Sequence, residues 1–296
     1  MNEIPSYDTE EINLYYYNDE TKKIILSNFK NYTKLEIFRC EYNNLTELPD
    51  LPDTLIELYC AYNKLNKLPN LPNSLIKLFC YNNNLTKLPK LPKSLNYLEC
   101  NDNNLTKLPN LSKSLIHLEC YNNKLTKLPK LNKLPNSLTK LWCYNNYLTK
   151  LPTLPNSLTH LKCYSNNLTE LPELPNSLIM LECSNNNLTE LPQIPNSLSY
   201  LSCFTNNLTE LPDLPNSLNE LYCSCNNDNL IYIDEDIKTI NETNLKNRII
   251  KRMKLLNRTL LLEHSARIIM NPKRIERLLD NLEIDFFDGS FDTLTY

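Results

Sequence analysis

Glycine is almost absent from this sequence: Gly289 is the only one in 296 residues. Nucleotide-binding loops place several glycines where the backbone approaches a phosphate, so a single glycine near the end of the chain disfavours that class of enzyme. The sequence also lacks any run near the ~20 apolar residues that a membrane-spanning helix requires. Its first residues, MNEIPSYDTEE, are acidic rather than apolar. We therefore expect an intracellular, cytoplasmic protein without a secretory signal.

A strong net charge is absent too. The chain has 31 basic and 34 acidic residues, a formal net charge of −3, which provides no global attraction to nucleic acid or to an anionic membrane. Cysteine, by contrast, occurs 11 times. An odd count without an export signal argues against a disulfide framework, and the spacing of the cysteines offers a better explanation.

Ten of the cysteines recur every 20 residues, except for one interval of 23 residues between Cys120 and Cys143. A single frame, LxxLxCxxNxLxxLPxLP, surrounds them. A fixed period repeated ten times is a specific signature of a solenoid. We interpret the three extra residues, within 130–134, as a bulge on the convex side that leaves the register intact. The column cysteines are Cys40, Cys60, Cys80, Cys100, Cys120, Cys143, Cys163, Cys183, Cys203 and Cys223.

The frame over residues 35–230 resembles the leucine-rich repeat in its short, bacterial-type form, the class of the YopM-like and IpaH-like effectors, with Cys where that class usually has Leu, Val or Ile. The resemblance implies one parallel strand per repeat on the concave side and an extended, polyproline-like return on the convex side. It also implies a ladder of hydrogen-bonded asparagines. The composition, rich in Asn, Lys and Tyr, is similar to that of leucine-rich-repeat proteins of giant DNA viruses.

The residues support this fold independently. Leu58 and Cys60 alternate with outward positions, as in a strand with one buried face. The LPxLP segments cannot form helix interiors, because proline lacks a donor and restricts the preceding residue to extended geometry. Together these features predict an α/β-solenoid, mostly β: a leucine-rich-repeat arc with a concave parallel sheet, an extended convex side and a helical C-terminal cap.

We interpret the cysteine column as a stack of small, buried, reduced thiols. A metal site in this column would need paired ligands such as CxxC or added histidines, and the frame has neither, so we expect no metal and no cofactor. Cys225 falls outside the column. The N-L-T sequons beside the asparagine column follow from the repeat frame, and without a signal peptide we expect no glycosylation.

The ends of the chain depart from the frame. We expect residues 1–34 to form an N-terminal cap, 35–230 the array of about ten repeats, 231–284 a helical C-terminal cap and 285–296 a flexible tail. Residues 245–278 carry ten Lys and Arg against Glu263 and Glu276 on amphipathic helices. We interpret these helices as a cap whose solvated face is basic by chance. The alternative is a surface that binds membrane or RNA.

Function is expected on the outward concave positions, three and one residues before each column cysteine and one and two after it. Thirteen of the 26 aromatic residues fall there, and amphipathic aromatics concentrate at recognition surfaces. Tyrosine also suits exposed strand positions in general, which is the competing explanation. We expect a partner site in the repeats from Cys80 to Cys163, formed by Tyr81, Glu99, His117, Glu119, Tyr121, Lys140, Trp142, Tyr144, His160, Lys162 and Tyr164.

Catalysis is not expected. Glu99 and Glu119 should face each other on adjacent strands, as glycosidase carboxylates do, but on an open, wet sheet. His117 has no exposed Ser or Cys opposite it, and the IpaH-like ligase cysteine has no counterpart after Cys225. We therefore predict a non-catalytic scaffold that binds a protein partner, with no small-molecule substrate. The alternative is a targeting adaptor whose residues 245–278 bind membrane or RNA.

Overall fold

The computed structural model of the chain describes residues 3–129, 137–224 and Asn226. The predicted bulge within 130–134, Cys225, the C-terminal helices, the basic stretch 245–278 and the tail lie outside the described residues. None of the described helices has the length and apolarity that a membrane crossing requires.

Eleven short parallel strands form one sheet in the described part of the chain, and each pairs with its neighbours in sequence order. Ten of them, β2 to β11, precede the ten column cysteines, so nine turns of chain separate them. The strands are β1 (Glu11–Asn13), β2 (Ile37–Arg39), β3 (Glu57–Tyr59), β4 (Lys77–Phe79), β5 (Tyr97–Glu99), β6 (His117–Glu119), β7 (Lys140–Trp142), β8 (His160–Lys162), β9 (Met180–Glu182), β10 (Tyr200–Ser202) and β11 (Glu220–Tyr222).

The repeat period sets the register of the sheet. Leu98 pairs with Leu118, 20 residues later, and Leu118 pairs with Leu141 across the longer interval. The register is therefore intact on both sides of the extra three residues, as predicted. In most strands the middle leucine is buried and the two flanking side chains are turned outward. This alternation is the period of two that a strand with one buried face requires.

The thiol column lies inside the solenoid. All ten column cysteines are free and buried, and nine have no exposed surface, while Cys223 is 6% exposed. They join the leucines in one continuous hydrophobic core. Burial raises the pKa of each column thiol, in Cys143 to about 12, because the low-dielectric interior disfavours the thiolate. The prediction of a stack of small reduced thiols is confirmed.

A ladder of buried asparagines ties each turn to the one before it. Asn123 is representative: its Oδ1 accepts a hydrogen bond from the backbone N–H of Leu105 at 2.9 Å. Its Nδ2 donates to the backbone carbonyls of Cys100, Cys120 and Tyr121 at 3.0, 3.2 and 3.0 Å. Buried polar groups require such partners, and each bond contributes about 1 kcal/mol net. The ladder that the resemblance implied is therefore present, and from Asn63 to Asn226 each rung spans two turns.

The residue two places after a column cysteine adopts a left-handed backbone conformation in nine successive repeats, with φ between 49° and 57°. Asparagine and aspartate tolerate this region best, and they occupy it as Asn82, Asp102, Asn122, Asn145 and Asn185. The Nδ2 of Asn122 donates to Asp102 Oδ1 at 2.6 Å. This position therefore belongs to a tight turn, whereas the sequence was interpreted as placing it on the outward sheet.

The segment before the array adds a strand and a helix. Strand β1 extends the sheet by pairing with β2, and α1 (Asp19–Ser27) begins at Asn18, whose Oδ1 accepts a hydrogen bond from the Thr21 N–H at 2.9 Å. Ile25 of α1 and the neighbouring Phe29 are buried in the same core as the array. This packing covers apolar surface at the first turn of the solenoid.

Thr205 should be a point of backbone strain, because it is β-branched and has a φ of 51°. A side chain with a Cβ costs roughly 1–2 kcal/mol in the left-handed region, and asparagine relieves part of that cost. We expect Thr205→Asn to raise the midpoint of urea unfolding, by an amount corresponding to about 0.5–1 kcal/mol. Thr209→Asn, four residues later at an exposed position with no positive φ, is the control. Equal midpoints for wild type and Thr205→Asn would contradict the strain.

The column thiols should resist alkylation in the folded chain. Only the thiolate reacts, and burial both hides the sulfur and raises its pKa. At pH 8 we expect iodoacetamide to leave the nine fully buried column cysteines unmodified while Cys223 reacts first, and denaturant to expose all ten. Peptide-resolved mass spectrometry measures the labelling. Native labelling of Cys100 or Cys120 at the rate of the unfolded chain would show that the column is open.

Candidate functional site

Seven of the eleven predicted site residues lie side by side on strands β5 to β8, and the other four each follow a column cysteine. Register places Glu99 opposite Glu119, Glu119 opposite Trp142 and Trp142 opposite Lys162. We call this surface, formed by side chains three and one residues before and one after each column cysteine, the outward face. Because adjacent strands are about 4.8 Å apart, side chains in the same register contact one another along it.

Three of the predicted tyrosines form a stack on the outward face. The rings of Tyr121 and Tyr144 are 4.2 Å apart and inclined by 8°, and those of Tyr144 and Tyr164 are 4.2 Å apart and inclined by 12°. Burial, with the nearby Glu119 adding to it, raises the pKa of Tyr121 to about 12. The stack presents ring edges and hydroxyl groups in one fixed arrangement, so a partner would order few rotors on contact.

Tyr81 is separated from this stack. The equivalent position in the next repeat is Asn101, which is buried, so the row of rings is interrupted there. Tyr81 instead packs edge-on against Tyr62 at 5.3 Å, and Tyr62 stacks on Tyr42 at 4.3 Å. Tyr81 therefore contacts a tyrosine of the turn rather than the stack, and the prediction joined it to residues that it does not contact.

Trp142 connects the tyrosine stack to the charged part of the face. Lys162 Nζ lies 5.0 Å from the centre of the Trp142 ring, a cation–π contact, and the same Nζ is 3.0 Å from Glu182 Oε1. The indole is half-buried, and its Nε1 is buried without a hydrogen-bond partner among the described residues. An indole N–H usually finds an acceptor when it is buried, so an acceptor from outside the chain suits this position.

Two carboxylates and an imidazole meet beside Trp142. His117 Nε2 is 2.7 Å from Glu119 Oε1, and their side chains are only 13% and 10% exposed. The donor atoms of Glu99, His117 and Glu119 all lie within 4.8 Å of one another. Burial raises the pKa of Glu99 to about 7, with Glu119 adding to the shift and His117 opposing it. We call these three residues the carboxylate–histidine cluster.

The second predicted histidine has a different environment. His160 Nδ1 is 2.9 Å from the hydroxyl of Thr159, and Lys140 and Lys162 flank it on the outward face. Burial, followed by the two lysine charges, lowers the pKa of His160. His160 is therefore a mainly neutral polar group at pH 7, whereas His117 lies against a carboxylate.

Position in the repeat was enough to predict most of this surface, but not the contacts on it. The sequence showed that Glu99 and Glu119 oppose each other and that His117 lies close by. It did not show that the three side chains converge, nor that the Trp142 N–H has no partner in the described part of the chain. The buried Asn101 was missed as well, although its place between Tyr81 and Tyr121 at the same repeat position was a visible signal.

Comparisons with known proteins agree with the geometry. The family model described as Leucine Rich repeats (2 copies) matches residues 113–156. YopM from Yersinia enterocolitica WA-314 is 34% identical, with 66% of this chain and 48% of that chain covered and a TM-score of 0.57. YopM from Yersinia pestis, a leucine-rich effector protein, is 36% identical, with 66% of this chain and 67% of that chain covered and a TM-score of 0.53.

A third solved structure shares the thiol column. The functional domain of InlJ from Listeria monocytogenes, which includes a cysteine ladder, is 29% identical, with 67% of this chain and 50% of that chain covered and a TM-score of 0.55. The chain thus spans about half of two of these structures and two thirds of the other. No curated protein matches the sequence.

The fold and the comparisons lead to one assignment. Ten strands at the repeat period, a thiol column and an asparagine ladder define the architecture, and a solved relative 36% identical is covered over 67% of its length. This chain belongs to the leucine-rich-repeat family.

Proposed function

We propose that the chain is a non-catalytic scaffold that binds a protein partner through the outward face of β5 to β8, the concave side of the repeat. Leucine-rich-repeat proteins commonly bind protein partners, and the structural neighbours are mostly non-catalytic binding scaffolds. The observation that carries the proposal for this chain is the tyrosine stack beside Trp142. It is a rigid aromatic surface with polar tips, the composition in which binding hot spots are enriched.

Charged side chains around the tyrosine stack would form the polar rim of the interface. Lys140 is exposed at one side of the patch, while Lys162 and Glu182 form an ion pair at the other. Aromatic anchors surrounded by charged side chains of both signs are typical of protein interfaces. The proposal gives four aromatic residues, Tyr121, Trp142, Tyr144 and Tyr164, the role of anchors and Lys140 and Lys162 the role of rim contacts.

The setting of the interaction is a further part of the proposal. A cytoplasmic location, in a host cell or in a virion if the chain is viral, follows from the sequence expectation alone, and the likeness to giant-virus proteins rests on composition. The adaptor alternative depends on residues 245–278, outside the described residues. It predicts that binding to anionic vesicles or RNA weakens steeply with salt, whereas anchoring on aromatic rings does not.

Removing two anchors tests the proposal. We expect the double variant Trp142→Ala with Tyr164→Ala to weaken binding of a captured partner at least about 30-fold, since hot-spot truncations cost about 2 kcal/mol or more. Partners are captured on the immobilised full chain from the native cellular context and identified by mass spectrometry. The affinity of the identified protein is then measured by titration calorimetry.

A matched variant controls for general loss of aromatic surface. Tyr222→Ala with Phe204→Ala removes two rings from the same positions of the repeat but outside the patch, and it should leave the affinity unchanged. Circular dichroism spectra must be the same for all three chains. Full affinity in the Trp142 and Tyr164 variant, or equal losses of affinity in both variants, would show that the partner does not bind at the tyrosine stack and Trp142.

A further inference from the structure

Two glutamates on the outward face are each paired with a lysine on an adjacent strand. Glu57 Oε1 is 2.8 Å from Lys77 Nζ across β3 and β4, and Glu182 is paired with Lys162 across β8 and β9. Between β5 and β6, in contrast, register places Glu99 directly opposite Glu119. Like charges opposite each other destabilise a sheet, and this pair of strands lacks the lysine that pairs with a glutamate in β3–β4 and β8–β9.

Glu99 is the unpaired member of this arrangement. Its carboxylate has no hydrogen bond or ion pair with any described residue, whereas Glu119 contacts His117 Nε2 at 2.7 Å. Glu99 is half-buried and Glu119 is only 8% exposed. Removing two carboxylates from water without a counter-charge is unfavourable, and burial strengthens their repulsion. A positive charge bound from outside the chain would relieve this repulsion.

The three donors suit a metal ion better than an organic cation. Imidazole nitrogen combined with carboxylate oxygen is a ligand set for Zn²⁺ and neighbouring divalent transition metals, whereas Mg²⁺ and Ca²⁺ prefer oxygen alone. Tetrahedral Zn²⁺ with bonds of about 2.1 Å separates its ligand atoms by about 3.4 Å. The donor atoms of the cluster already lie within 4.8 Å of one another, so small side-chain rotations suffice.

We propose that Glu99, His117 and Glu119 bind one divalent transition metal ion of the Zn²⁺ type on the outward face. Three protein ligands leave a coordination position for water or for a donor from a partner. Tyr97 lies along one side of His117, with ring centres 6.0 Å apart, and Trp142 packs edge-on from the other side at 5.9 Å. These rings hold the imidazole in place and limit the access of water.

Trp142 provides a second, independent observation. Its Nε1 is buried without a partner among the described residues, on the strand directly after β6 and in register with Glu119. An oxygen atom bound near Glu119, such as a metal-bound water, would satisfy this donor. The metal site would therefore supply two missing partners, a cation for the carboxylates and an acceptor for the indole.

Calorimetric titration of the isolated full chain with ZnCl₂ tests the site. We expect one equivalent of Zn²⁺ to bind to wild type, and Glu99→Gln or His117→Asn to weaken binding at least about 10-fold, as loss of groups that support metal sites already does. Co²⁺ should give weak visible absorption bands of a nitrogen and oxygen site, without the intense near-ultraviolet bands of thiolate ligands. No partner protein is present, so the result is independent of the proposed function.

Matched variants control for position and charge. His160→Asn replaces the other strand histidine at the same position of the repeat, and Glu182→Gln replaces a carboxylate equivalent to Glu99; both should bind Zn²⁺ as wild type does. Without metal, Glu99→Gln should melt at a higher temperature than wild type because the repulsion is removed, and Zn²⁺ should stabilise wild type but not this variant. Absence of Zn²⁺ binding to wild type, binding by Glu99→Gln or His117→Asn as tight as that of wild type, or thiolate bands with Co²⁺ would overturn the proposal.

Discussion

The asparagine ladder is the interaction on which the rest of this structure depends. Each rung holds backbone groups of two successive turns with one amide side chain, as Asn123 does for Leu105, Cys100 and Cys120. The turn after each strand would otherwise bury backbone carbonyls and N–H groups without partners, at a cost that a core of leucine and cysteine does not offset. Because the rung repeats every turn, it also keeps equivalent residues of successive repeats at the same height.

Because equivalent positions of successive repeats are aligned, the same residue type at one position in several repeats forms a continuous surface feature. A tyrosine after one column cysteine is an isolated exposed ring, but tyrosines after three successive cysteines form a stack with ring centres 4.2 Å apart. The same rule applies to charge. Glutamate opposite lysine forms a cross-strand pair, as Glu57 and Lys77 do, whereas glutamate opposite glutamate creates a buried repulsion at Glu99 and Glu119. Function on such a sheet is therefore encoded by runs in register rather than by single residues.

The period of the sequence was sufficient to predict the strands, the buried thiols and the neighbours on the outward face, since all three follow from register. The period was insufficient to predict which neighbour a side chain contacts when several neighbours are within reach. The sequence places His117 next to Glu119, and only the structure shows that Glu99 joins them, with all three donor atoms within 4.8 Å of one another. Backbone strain was also hidden, because Thr205 and Tyr62 occupy a turn that asparagine fills in other repeats. Strand β1 was missed since residues 11–13 lack the repeat frame.

The tyrosine stack and the carboxylate–histidine cluster share β6 and the column position after it, so they are physically coupled. Tyr121 follows Cys120, which follows Glu119, and the Glu119 charge contributes to the raised pKa of the Tyr121 hydroxyl. A divalent cation held by the two carboxylates would cancel their negative charge, and removing a negative charge beside a phenol lowers its pKa and makes its hydroxyl a better donor. Trp142 would at the same time gain an acceptor for its N–H. An ion in the cluster would therefore change the hydrogen-bonding character of the Tyr121 hydroxyl, while the asparagine ladder would keep the position of the ring unchanged.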